Sequence, residues 1–144
     1  MEELVIATRV ALANTFMMYF KAHSHHWNVV GTDFAQHHEF FGDLYEEVFG
    51  AVDSISEQLR QLKVKSPKTL SELYQYKTVN EGNVAETTPE MFQDLLIANA
   101  GVLESLNKAM ELAESHREMG LANHMQDRIE AHKKHEWMIR SHLQ

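Results

Sequence analysis

Lys21-Ala22-His23-Ser24-His25-His26-Trp27-Asn28-Val29-Val30-Gly31 closes one helical pattern, and Thr32-Asp33 leads directly into another. From Phe34 to about Leu62, the apolar residues Phe41, Leu44, Val48, Val52, Ile55, Leu59 and Leu62 advance by three or four, the period of an amphipathic α-helix. Asp33 is the expected N-cap, with Gln36 three positions on as its capping-box partner. The same helix carries His38 near its start and Asp53 and Glu57, one turn apart, near its end.

Working back from this stretch, Leu4 to about Asn28 reads as a long helix with two apolar stripes. One follows Leu4, Thr8, Ala11, Thr15, Met18 and Ala22; the other follows Val5, Leu12, Tyr19 and His26. Two stripes predict neighbours on two sides. Working forward, Ser66-Pro67 sets a turn and Thr69-Leu70-Ser71-Glu72 is a capping box for one short helix. Thr78 to Thr87 is polar and irregular, a surface connection. Thr88-Pro89 predicts an N-cap followed by proline at the first helical position. A third long helix then carries Phe92, Leu95, Leu96, Asn99, Val102, Leu103, Leu106, Met110 and Ala113. Met119-Gly120 is the expected interruption before a fourth, with Leu121, Met125, Ile129, His132, Glu136, Ile139 and Leu143 at helical spacing. The fold class is therefore all-α: a four-helix bundle with a short extra helix in the long connection between its second and third long helices, spanning 1–144 as a single domain.

Composition narrows the chemistry. The 144 residues include no cysteine, which excludes disulfides, thiolate metal sites and cysteine nucleophiles. A net charge of −8 argues against a surface built to coat phosphate. The opening Met1-Glu2-Glu3 lacks the basic and apolar regions of a secretory signal, and no run of about 18 apolar residues suggests a membrane span. The expected setting is cytoplasmic. Ten histidines are many for this length, and five of them (His23, His25, His26, His37 and His38) cluster. No Glu-x-x-His, His-Glu-x-x-His, phosphate loop or nucleophile elbow occurs.

Helix geometry constrains how these donors meet. Asp53 and Glu57 lie about 40° apart on one face, and His38 lies within roughly 60° of that face but about 22 Å away along the axis. Metal–ligand bonds are near 2 Å, so one copy of the helix cannot bring His38 and Asp53 to one ion. Two antiparallel copies related by a two-fold axis near Glu46 and Glu47 can, with His26 approaching His38 across the short Gly31 turn. Mixed nitrogen and oxygen donors without sulfur suit Fe²⁺, Mn²⁺ or Zn²⁺. An acid pair at this spacing is more often a solvated edge; here Val52, Ile55 and Leu59 interleave with it and bring it beside the apolar face.

The pattern Lys21-x-His23-x-x-His26-Trp27-Asn28-Val29-x-Gly31, then His38, then Asp53-x-x-x-Glu57, resembles the Dps-type mini-ferritins, and the resemblance extends to the closing Trp137-Met138-Ile139-Arg140. It implies a ferritin-like bundle assembled as a hollow dodecamer from two-fold dimers. It also implies ferroxidase activity, with His26 and His38 from one subunit and Asp53 and Glu57 from its mate as catalytic metal ligands. Fe²⁺ would be oxidised there by hydrogen peroxide or dioxygen and Fe³⁺ stored as mineral, protecting against oxidative damage.

Two departures from the family pattern bear on this. Members often carry an acid four residues after the second histidine, where this chain has Gly42; Asp43 is turned about 100° away, so one of two iron positions is expected to be weak, or completed by water or Glu39. Members that condense DNA usually use a lysine-rich tail, whereas this chain opens with Glu2 and Glu3, which argues against DNA binding. The alternatives are a peroxidase-like protectant with secondary storage, and a DNA-compacting or scaffold protein with a vestigial metal site. His23 is expected to orient a neighbour, and His25 and His37 to be exposed. Most of His116, His124, His132, His135 and His142 are expected at the surface, with His132 in the bundle seam. Trp27 and Trp137 are expected to be packing residues.

Overall fold

The computed structural model describes all of residues 1–144 and contains five helices and no strand. They are α1 (Glu2–Asn28), α2 (Phe34–Gln61), α3 (Leu70–Tyr74), α4 (Thr88–Ser115) and α5 (Met119–His142). α1 packs against both α2 and α4, and α4 against α5. The two-sided burial expected of α1 is met: Leu4, Ala11, Met18 and Ala22 are fully buried, and so are Thr8 and Thr15. The two threonine hydroxyls donate to the carbonyls of Leu4 and Ala11, at 2.8 and 2.7 Å, so each is buried without an unpaired group.

α2 buries one stripe, Phe41, Leu44, Val48, Ala51, Ile55 and Leu59. At roughly 1.5–3 kcal/mol for each large side chain removed from water, this stripe outweighs the cost of Gly42 and Gly50 within the helix. Glu47 joins its outer face to α5 through an ion pair with Arg128 and a hydrogen bond from His135. α1 and α2 form an antiparallel hairpin over Val29–Asp33, and α4 and α5 another over His116–Glu118. His25 of α1 meets Asp94 of α4, and the α1 N-terminus reaches His116, so α1 and α4 are antiparallel as well. α2 and α4 therefore run parallel, which is why a long crossover must carry the chain from one end of the bundle to the other.

That crossover is tied down from beneath. Asn14, fully buried on α1, accepts from the backbone N–H of Thr78 and Val79 at 2.8 and 3.0 Å and donates to the Thr78 hydroxyl at 2.8 Å. Val79 is buried, against the expectation of a wholly surface connection. It seats over Gly101, where an added Cβ would come within 2.7 Å of the valine methyl. Polarity of the flanking residues hid this one anchoring apolar side chain.

Several boundaries differ from the sequence expectation. Asp33 adopts a left-handed conformation (φ 62°) and its side chain makes no cap, so the predicted capping box with Gln36 does not form. The turn after Gly31 (φ 96°) uses Asp33 for its backbone geometry instead. α4 is capped by Thr87 and not Thr88, with a full capping box to Glu90. The Thr69 box is half made: Thr69 accepts from Glu72 N–H, while the Glu72 carboxylate takes the N–H of Lys68. The α4–α5 break falls at His116–Glu118, with Arg117 left-handed (φ 59°), and Met119-Gly120 begins α5.

Candidate metal centre

The five-residue connection folds α2 back along α1, so the last turn of α1 faces the second turn of α2. This brings His26 and His38 together, with rings stacked at a centroid distance of 3.8 Å and 17° between planes. The pair is locked by reciprocal hydrogen bonds: His26 Nδ1 donates to the His38 carbonyl and His38 Nδ1 to the His26 carbonyl, each at 2.7 Å. A carbonyl only accepts, so each Nδ1 carries a proton, and in its neutral form each ring offers only the Nε2 lone pair to a ligand. Tying one nitrogen to a carbonyl while the other is left to bind is how metal-ligating imidazoles are held. Phe34 extends the stack beyond His38 at 5.1 Å.

Gly42 lies against the His26 ring. A Cβ there would stand 3.1 Å from both Cε1 and Nδ1 of His26, closer than an ordinary contact. Glycine at this position is thus the space that the His26 ring uses, which gives the departure from the family pattern a steric meaning.

His23 does not join the imidazole pair. It is hydrogen-bonded to the Tyr19 hydroxyl at 2.9 Å and stacked on Tyr45 at 3.8 Å, nearly parallel. Its other face meets Trp27 at 3.9 Å. Burial first, and the neighbouring His26 second, hold its pKa below the usual imidazole value. The side chain packs at the α1 end of the histidine pair, and its hydrogen bond goes to Tyr19 and not to His26 or His38.

Asp53 and Glu57 sit far along α2, exposed, and neither forms a hydrogen bond or an ion pair within the chain. Within a single chain no three His, Asp or Glu side chains converge in a way that could hold a metal ion. One subunit therefore brings two imidazoles together at one end of α2 and leaves two unpaired carboxylates near the other. Imidazole nitrogen and carboxylate oxygen, with no sulfur, are donor types that suit a borderline divalent cation such as Fe²⁺.

The other histidines depart from expectation in an instructive way. His25 is buried, not exposed: its Nε2 donates to Asp94 at 2.8 Å, and Lys21 Nζ reaches the same carboxylate at 2.7 Å. Burial pushes the Asp94 pKa up, but the hydrogen bonds from His25 and Lys21 outweigh it and hold it low. Lys21 also donates to the Glu81 carbonyl, so this trio pins the crossover to α1 and α4. His37 is half-buried, edge-on to Phe92 at 5.4 Å. Of the five C-terminal histidines only His116 is exposed. His124 donates to Ser54 at 3.0 Å, His135 to Glu47 at 2.7 Å, and His142 stacks on Phe92 at 4.3 Å. His132 is fully buried in the seam, as expected. In each misread case the partner lies on another helix, where helical spacing carries no signal. Trp27 and Trp137 are both 58% exposed in the single chain, so neither is a core residue of its own bundle.

Known proteins align with this arrangement along its whole length. The ferritin-like domain family matches residues 8–144. General stress protein 20U of Bacillus subtilis (strain 168) is 35% identical over 99% of this chain and 98% of its own length. The DNA protection during starvation protein of Brevibacillus brevis is 30% identical, covering 92% of this chain and 89% of its own. The crystal structure of Dps from Staphylococcus aureus superposes with a TM-score of 0.93 at 25% identity, over 100% of this chain and 97% of that one. No helix is long and apolar enough to cross a membrane. With its bundle, its central crossover helix and its paired imidazoles, the chain belongs to the ferritin-like family, as a Dps-type mini-ferritin.

Proposed function

We propose that this protein, acting as one ferritin-like domain over residues 1–144, binds and oxidises Fe²⁺ at sites shared between two subunits and retains the Fe³⁺ inside a hollow assembly. The observation that carries this reading is the His26–His38 pair, with both Nδ1 atoms tied to carbonyls and both Nε2 atoms left for a ligand. His26 and His38 of one subunit bind as neutral imidazoles; Asp53 and Glu57 of the mate supply the negative charge that balances the ion. The exposure of these acids and their lack of partners within the chain support a role across an interface. So does the exposed aromatic surface of Phe20, Trp27 and Phe49, which a second copy would cover.

Iron is the substrate, with Zn²⁺ or Mn²⁺ as competitors for the same donors. Two Fe²⁺ ions each give up one electron, and one hydrogen peroxide molecule takes both with two protons to leave as water; dioxygen is the alternative oxidant. Removing both reagents of hydroxyl-radical chemistry is the protective function. Protons compete with metal for the Nε2 atoms, so binding weakens on acidification. We further propose the dodecamer built from two-fold dimers as the particle, in which a net charge of −8 per chain disfavours DNA as a partner.

Mixing subunits provides the test. His38→Ala and Asp53→Ala particles each lose Fe²⁺ oxidation by peroxide. After dissociation and reassembly together, mixed dimers regain one intact site, and activity returns only after that exchange. Activity in either parent equal to that of the native protein, or no recovery on exchange, would overturn the shared site.

A further inference from the structure

α2 carries a single fixed positive charge. Among its 28 residues Arg60 is the only lysine or arginine, against Glu39, Asp43, Glu46, Glu47, Asp53 and Glu57. Arg60 lies seven positions after Asp53, which places it within about 20° of that carboxylate around the helix, on the face proposed to meet a second copy. It is exposed, and its guanidinium fork is only partly used: Nη1 donates to the Val64 carbonyl at 2.9 Å, and no carboxylate of its own chain pairs with it. At the opposite end of α2, Asp33 is exposed as well. Its backbone is left-handed (φ 62°) and its side chain caps nothing.

Helix geometry brings these two charges level with each other across a two-fold axis. A shared site sets His38 of one subunit level with the midpoint of Asp53 and Glu57 of the other. Asp33 stands five positions before His38, and Arg60 five positions past that midpoint, each about 7.5 Å beyond the metal-binding level. We propose that Asp33 of one subunit and Arg60 of the partner subunit form an ion pair, made twice per dimer, that fixes the register in which the two α2 helices lie. The inference rests on the shared site proposed above and adds to it the residues that align its two halves.

The charge balance gives this pair its weight. Each chain carries a net charge of −8, and α2 brings mostly acids to its own copy, so two chains repel until opposite charges meet. Complementary charges also suppress the registers in which like charges would face each other, which leaves one alignment of the two helices. Arg60 stands three positions after Glu57, a spacing at which opposite charges on one helix attract. A guanidinium drawn outward to Asp33 of the partner subunit leaves the Glu57 carboxylate to the metal. Asp33 and Arg60 are therefore positioning residues that act through the alignment of the ligands.

The test uses metal-free protein with His26, His38, Asp53 and Glu57 intact, so that it reads pairing and not iron chemistry. Asp33→Lys and Arg60→Glu each put two like-charged contacts into a dimer of identical chains. A dimer of one variant with the other has two opposite-charged contacts instead. Each variant alone is expected to need about 10-fold more protein than the native chain to assemble. Mixed after dissociation, with one variant isotope-labelled, the two should give particles holding equal numbers of both chains by native mass spectrometry. Asp33→Lys/Arg60→Glu on one chain should restore native assembly. A binomial spread of the two chains, no particles from the mixture, or single variants that assemble as the native chain does would overturn the inference. Any of these beside recovered Fe²⁺ oxidation in the His38→Ala and Asp53→Ala exchange removes the ion pair alone; failure of that exchange removes the shared site with it.

Discussion

Replacing Gly42 with alanine tests whether the space beside His26 is functional. An added Cβ would lie 3.1 Å from His26 Cε1 and Nδ1, whereas ordinary contacts begin at 3.4 Å, so the ring must retreat by 3.4 − 3.1 = 0.3 Å or more. It has little freedom to do so: its Nδ1 is held at 2.7 Å by the His38 carbonyl, and its face lies 3.8 Å from the His38 ring. Metal sites lose function when ligands stray by about 0.5 Å, and disturbing a ligand's support typically costs about 10–100-fold in affinity. We expect Zn²⁺ affinity of the assembled Gly42→Ala protein, measured by chelator competition, to fall about 10-fold, with Fe²⁺ oxidation falling alongside. Stability should move the other way or stay level, because alanine inside a helix is favoured over glycine by about 1 kcal/mol. Weaker metal binding in a protein of undiminished thermal stability is the signature sought. Native Zn²⁺ affinity in this variant would refute the steric argument.

Other expectations follow from the anchoring contacts. Asn14→Ala leaves the N–H groups of Thr78 and of buried Val79 without their acceptor; a loss of about 2 kcal/mol is expected, read as faster hydrogen exchange at those two amides. Asp94→Ala strands Lys21 and His25 in a largely buried setting and should destabilise by about 3 kcal/mol, seen as earlier proteolysis of the 80–86 connection. The native Asp94 pKa lies below its ordinary 3.8, so its stabilisation is complete above that value and is lost only as the pH falls through the lower, folded-state value. His132 has a lowered pKa as well, so the unfolded chain takes up its proton first. Stability is therefore full above the ordinary 6.5 and declines below it. The limiting slope is about 1.4 kcal/mol per pH unit. Urea midpoints between pH 7 and 5.5 should show this decline, and His132→Gln should flatten it.

The all-α class, the helix count and the two buried faces of α1 were legible because apolar spacing is a local property that each helix expresses alone. The family motif was legible for the same reason: His26, His38, Asp53 and Glu57 keep fixed intervals along the chain. Rise per residue even excluded a site closed within one subunit, since about 22 Å of helix separates His38 from Asp53. Tertiary structure decided which polar groups are partners. The spacing of His25 suggested exposure, yet Asp94 waits for it on α4; Glu47 entered only as a marker of the two-fold axis, yet α5 places Arg128 and His135 upon it. Gly42 was readable as a missing acid, and only the folded hairpin shows the His26 ring lying against it. Spacing along a helix reports which face a residue occupies; what stands opposite that face depends on another helix, whose position is set by packing of the whole core.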